Sequence, residues 1–194
     1  MEIVVALPVG VGDVVAEGPA PGLARIDPGK GQSLRLMFVG PALPAAKESV
    51  FWLNVLEIPP KSQEADVNSL QMAFRSRVKI FYRPEGLAGN PVDAMEQLQW
   101  RAVPASNGKG FALEAYNPSA FHVSLASLSL MVGAVRSESD GGMVAPGETK
   151  QFALPTVKAL PGAGAQVEFS AINDYGVPMP VRRTLSAPAG RPAP

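Results

Sequence analysis

The chain of 194 residues contains no cysteine. Disulfides, thiolate nucleophiles and cysteine-ligated zinc are therefore excluded. It has a single histidine, His122. Acid–base catalysis needs a positioned partner group, so His122 reads as a strand-surface or core residue rather than a catalyst. It has no charge excess, 17 basic residues balancing 17 acidic ones. Affinity for nucleic acid rests largely on neutralising phosphates, so no general nucleic-acid partner is expected. No segment approaches the roughly 18 consecutive apolar residues of a membrane span, and no membrane insertion is expected. A G-x-S-x-G elbow is missing. Gly29–Lys30–Gly31–Gln32–Ser33 lacks the G-K-[ST] ending of a phosphate loop and reads as a turn. No carboxylates stand at metal-ligand spacing. These gaps together argue against an enzyme, a cofactor or a metal site.

Proline (20) and glycine (19) are plentiful, which favours short strands joined by turns over long helices. Hydrophobic residues make up 46%, enough to build a core. Residues 1–19 give no convincing pattern. A short strand is expected at 23–26, then a turn at Asp27–Pro28–Gly29 and a strand over Ser33–Val39, where Leu34, Leu36 and Phe38 alternate with polar or flexible residues. The run VFWLNVLEI (50–58) is rich in aromatic and β-branched residues and is stopped by Pro59–Pro60.

The clearest pattern is NSLQMAFRSRVKIFYRP (68–84). Leu70, Met72, Phe74, Val78 and Ile80 fall on one parity, and Arg75, Arg77 and Lys79 on the other. This alternation predicts one strand, longer than the usual 3–10 residues, with one apolar face. Further strands are expected at 97–103, 110–116, 121–132, 151–154 and 166–172. Turns are expected at Ser106–Asn107–Gly108, where Asn-Gly signals a hairpin, and at Asp140–Gly141–Gly142. Pro28–Gly29 ahead of Gln32–Leu36 is echoed by Pro146–Gly147 ahead of Gln151–Leu154. The whole reads as all-β, with domains at 1–84 and 85–187 and a disordered tail at 188–194.

Five segments carry a family resemblance: ARIDPGKGQSLRL (24–36), LPAAKESVFWLNVLEIPPK (43–61), LQMAFRSRVKIFYRP (70–84), NPSAFHVSL (117–125) and INDYGVPMP (172–180). Together they resemble the PapD-like periplasmic chaperones of the chaperone–usher pathway, which assemble pili. The resemblance implies two immunoglobulin-like β-sandwich domains in an L or boomerang. It implies pilus subunits and an outer-membrane usher as partners, no enzyme activity and no cofactor. Its mechanism is donor-strand complementation, an established form of β-augmentation. On matching positions, Leu70, Met72 and Phe74 are the donor side chains and Lys79 holds a subunit's terminal carboxylate. Val78 and Ile80 are expected in the domain's own core, and Arg75 and Arg77 in solvent. Glu48, Arg83 and Asp174 match an interdomain salt-bridge network that fixes domain orientation. The short loop 61–69 resembles the branch of the family associated with rod-like pili.

The resemblance also implies a signal peptide and further N-terminal strands, one carrying an arginine that pairs with the lysine. No counterpart is legible here, so the first domain reads as incomplete at its N-terminus. Leu34, Leu36, Trp52 and Val55 are then expected to lack part of their cover, with self-association through exposed edge strands as a consequence. The opening MEIVVALPVGVGDVVAEG lacks a basic region and carries Glu2 and Asp13, which makes a poor secretory signal. The expected compartment is the periplasm by family, or the cytoplasm if Met1 is the native start. The alternative function is a structural or adhesive tandem-sandwich surface protein. A hydrolase is disfavoured by the lone histidine.

Overall fold

A computed structural model describes residues 2–6, 13–17, 23–31, 33, 35–58, 70, 72–106, 108, 110–162 and 164–185, with the backbone alone for 2–6, 13–17 and 23–24. The chain forms two compact units. The first comprises Met1–Pro44 with Ser49–Tyr82, and the second Ala45–Glu48 with Arg83–Pro194. This differs from a single cut after Pro84. The short segment carrying Glu48 belongs with the second unit, as does Arg83.

The first unit contains β1 (Glu2–Ala6), β2 (Asp13–Glu17), β3 (Leu23–Arg25), β4 (Arg35–Val39), β5 (Ser49–Ile58) and β6 (Phe74–Tyr82). One sheet has the order β3-β1-β5-β6, and β2 pairs with β4 in a second. The strands β1 and β2 lie where the sequence pattern was unconvincing, because Pro and Gly break each Val-rich run before an alternation can register. In β4, Leu36 and Phe38 point inward and their neighbours outward. Phe38 meets Phe51 of β5 at 5.4 Å between ring centroids, which joins the two sheets. Every residue of β5 is half-buried, Trp52 and Val55 included, as is Leu36. Leu34 lies outside the described residues, as do the loop 61–69 and the tail 188–194.

The strand β6 is shorter than its alternation predicts, starting at Phe74 rather than near Asn68. A ladder needs a partner. Glu57 is the last residue of β5 to face β6, opposite Phe74, and one residue further the sequence runs into Pro59–Pro60, which carry no N–H to donate. Leu70, Met72 and Ala73 continue the pattern outside the ladder.

The second unit contains α1 (Pro91–Gln97), β7 (Gln99–Pro104), β8 (Phe111–Tyr116), β9 (Val123–Val132), β10 (Val135–Ser139), β11 (Gly142–Val144), β12 (Thr149–Leu154), β13 (Gln166–Ile172) and β14 (Pro178–Thr184). One sheet runs β10-β9-β13-β14 with β11 also on β9, and the other runs β12-β8-β7. The core lies between them. Leu113, Leu130, Leu154, Val123, Val144 and Val167 are fully buried. Trp100 on β7 packs against Phe169 of the facing sheet at 5.2 Å.

Three local expectations change. Gln97 ends a helix instead of opening a strand: the Asn90 side chain accepts the Asp93 N–H at 2.8 Å and Pro91 takes the first helical position, where its missing donor costs nothing. Gly142 starts β11 rather than closing a turn. The hairpin at 106–108 has a wider loop, with Pro104 opposite Phe111 and the Ala105 N–H bonded to the Gly110 carbonyl at 3.0 Å. The two Pro-Gly pairs do sit in turns ahead of β4 and β12.

Candidate functional site: an open strand edge and a charge cluster

Among the described residues, the order of the first sheet gives β6 one neighbour, β5, and one open edge. An open edge presents unpaired N–H and C=O groups to any extended chain that arrives. The register assigns the faces. Phe51, Leu53 and Glu57 stand opposite Ile80, Val78 and Phe74, and Trp52 and Asn54 stand opposite Lys79 and Arg77. Phe51 is the residue that meets Phe38, so Phe74, Val78 and Ile80 share the inward face. Along that parity Leu70 is 86% exposed, Met72 53%, Phe74 55% and Val78 52%. Ile80 is half-buried as expected, but Val78 is not in the domain's own core.

Lys79 lies on the other face. Its Nζ sits 5.4 Å from the centre of the Trp52 ring, and the Arg77 guanidinium lies over the same ring at 4.1 Å. Phe74 opens β6, exposed Met72 and Leu70 precede it in the chain outside the ladder, and Lys79 lies on the opposite face of the strand from Phe74.

In the second unit, Glu48, Arg83 and Asp174 converge. The guanidinium of Arg83 donates through Nε to Glu48 Oε1, through Nη1 to Asp174 Oδ2 and through Nη2 to Asp174 Oδ1, each at 2.6 Å. Its rigid fork lets one cation serve two carboxylates. Arg83 also lies 5.6 Å from the centre of the Phe121 ring. Sequence reasoning missed the fourth member. His122, its side chain only 6% exposed, donates its backbone N–H to Glu48 Oε2 at 2.7 Å and contacts the same oxygen through Nδ1 at 2.8 Å. A lone histidine amid apolar residues carries no local signal of a partner 74 positions away.

Local turns hold these groups in place. Buried Asn117 donates to the carbonyls of Phe121 (2.7 Å) and Val144 (3.1 Å) and accepts from the Ser119 N–H and hydroxyl (3.1 and 2.7 Å). This shapes the segment that delivers Phe121 and His122. The Glu48 N–H bonds to the Ala120 carbonyl at 2.9 Å. Asn173 Oδ1 accepts from the N–H groups of Tyr175 and Val177 at 3.0 and 2.9 Å, an Asx-type turn that presents Asp174.

The electrostatics follow from these contacts. Burial pushes the Glu48 carboxyl up, but hydrogen bonds from His122 and Arg83 outweigh it and hold it below the ordinary glutamate value. The Arg83 hydrogen bond holds Asp174 below the usual aspartate value despite partial burial. Bonding to Asp174 and Glu48 raises Arg83 further above the ordinary arginine value. Glu48, Arg83 and Asp174 form a set of fixed, ionised groups, suited to holding chain segments together rather than to moving protons. Among the described residues no group of three or more His, Asp or Glu side chains is placed to hold a metal ion. No helix among them is long and apolar enough to cross a membrane.

These features define a tandem, all-β protein with an open, apolar strand edge in its first unit. Residues 18–88 match the model described as "Pili and flagellar-assembly chaperone, PapD N-terminal domain", and residues 93–182 match "Pili assembly chaperone PapD, C-terminal domain". The chain belongs to this family of pilus assembly chaperones, which are not enzymes. It is 40% identical over 172 residues to the chaperone protein FimB/FhaD of Bordetella pertussis, covering 86% of this chain and 66% of that one. It is 42% identical over 162 residues to the probable fimbrial chaperone YadV of Escherichia coli K12, covering 80% of this chain and 64% of the relative. The crystal structure of the YadV chaperone superposes with a TM-score of 0.76 at 34% identity, covering 95% of this chain and 85% of that one. The Pseudomonas aeruginosa CupB2 chaperone follows at 0.70 and 29%, covering 95% and 86%. The chain spans just under two thirds of the length of the first two curated relatives.

Proposed function

We propose that the protein is a pilus-subunit chaperone that binds fimbrial subunits in the periplasm by donor-strand complementation and delivers them to an outer-membrane usher. The observation that carries this reading is the line of exposed apolar side chains, Leu70, Met72 and Phe74, running into the open edge of β6. A subunit with an unfinished sandwich gains main-chain hydrogen bonds from the edge and apolar partners from alternate side chains. Each such side chain buried contributes about 1.5–3 kcal/mol before ordering costs. Lys79 supplies charge-assisted hydrogen bonds to the subunit's terminal carboxylate. Glu48, Arg83 and Asp174 hold together segments of the second unit that lie beside the chain crossings at 48/49 and 82/83, a structural rather than catalytic role.

The test is co-production of the protein with a pilin encoded beside it, followed by co-purification from the periplasm. Phe74→Glu is expected to abolish recovery of the pilin while the chaperone stays folded. Undiminished recovery with Phe74→Glu and with Leu70→Glu overturns the donor-strand role and favours a free-standing structural or adhesive protein.

A further inference from the structure

We infer that β6 selects its client on both faces, and that the client strand it accepts carries acidic residues where it meets Arg75 and Arg77. This rests on the reading of β6 as a strand-adding edge. Strands that pair on an open edge place their side chains directly opposite those of the edge strand, face for face, at separations of about 4.5–5.5 Å between Cβ atoms. One face of β6 is the apolar line. On the other, Arg75, Arg77 and Lys79 follow one another at alternate positions.

Among the described residues, no acidic side chain pairs with either arginine. On β5, their opposite residues are Leu56 and Asn54, neither of them acidic. The ion pairs of the described residues engage Arg83, Arg101, Arg136, Arg182, Arg183 and His122, and neither Arg75 nor Arg77. Both are exposed. The Arg77 guanidinium lies over the Trp52 ring, 4.1 Å from its centre. A cation–π contact of this kind consumes none of the guanidinium's N–H donors, which stay available to a carboxylate, with part of the ordering cost already met.

Two like charges at successive positions on one face repel, and a strand bringing carboxylates opposite them relieves that repulsion. A strand bringing lysines adds to it. The same pattern disfavours a second copy of this chain on the edge, since antiparallel pairing about a two-fold axis brings basic face to basic face. The client class is thus an extended segment alternating apolar residues with aspartate or glutamate at the positions facing Arg75 and Arg77.

The experiment measures binding of the intact protein to three capped peptides of about ten residues, alternating valine with glutamate, threonine or lysine. Capping removes the terminal carboxylate that Lys79 would read. The expected order is glutamate over threonine over lysine, with roughly tenfold between the extremes and a preference that shrinks as salt rises. The double variant Arg75→Glu/Arg77→Glu reverses the order, and Arg75→Ala/Arg77→Ala levels it. Equal binding of the glutamate and lysine peptides to the unmodified protein overturns the charge selection, as does an order unchanged by either double variant. Phe74→Glu separates the two readings. If it abolishes binding of all three peptides, the edge reading stands whatever the charge result. If the glutamate peptide still binds, or if no peptide binds the unmodified protein, the edge reading fails and the selection with it.

Discussion

Glu48 Oε2 takes two hydrogen bonds from one residue, the backbone N–H of His122 at 2.7 Å and its Nδ1 at 2.8 Å, while Oε1 takes the Nε of Arg83 at 2.6 Å. A carboxylate this deeply buried is tolerated because both oxygens are satisfied. Asp174, on the far side of Arg83, has a side chain 48% exposed, and the two carboxylates should therefore differ in weight.

Arg83→Ala leaves the Glu48 charge buried with His122 alone. It is expected to destabilise the second unit by about 3 kcal/mol. Asp174→Asn is expected to cost under about 1 kcal/mol, since half-exposed ion pairs contribute little. Urea denaturation in a Trp52→Phe background checks both, because Trp100 then reports the second unit alone. Equal losses in the two variants would contradict the asymmetry.

The second unit is expected to lose stability in acid. Glu48 and Asp174 have folded-state values below 4.5 and 3.8, their ordinary values. A depressed carboxylate contributes stability that is fully present above its unfolded value and is lost as pH falls through its folded one. Denaturation midpoints should therefore hold near neutral pH and decline below about pH 4.5. In Glu48→Gln the decline should be shallower, though the starting stability is lower.

Phe74→Glu should cost the fold under about 1 kcal/mol, because the ring is already more than half in solvent and the new carboxylate meets Glu57 only at the end of the ladder. Phe169→Ala, buried against Trp100, should cost about 3–5 kcal/mol. Thermal melts of the two variants distinguish an outward-facing aromatic from a core one.

Gly141→Ala should destabilise the second unit by about 1–3 kcal/mol. A Cβ there would stand 2.3 Å from the Leu125 backbone oxygen, which has no rotamer with which to yield. Gly162→Ala, where nothing lies within 4 Å, is the control.

Much of the fold was legible because strands advertise themselves locally. The alternation in residues 35–39 and 74–82 and the β-branched run over 50–58 became β4, β6 and β5. The elements that were not legible have physical reasons. The strand β14 contains Pro178 and Pro180, which argue against a central strand, but among the described residues β14 pairs with β13 alone, and an edge accepts proline. The helix α1 is too short for an apolar period to register, and only its Asn90–Pro91 start marks it.

The order of apolar and charged residues along 70–82 was fixed by the sequence alone: which parity is greasy, which is basic, and where Pro59–Pro60 stops the neighbouring ladder. Tertiary structure decided that this strand stands at an edge with Phe74 and Val78 in solvent. It also decided that residues 48, 83, 122 and 174 meet around one guanidinium. Parity follows from the chain's own geometry, whereas burial and charge pairing depend on what the rest of the chain places opposite, and no local pattern encodes that.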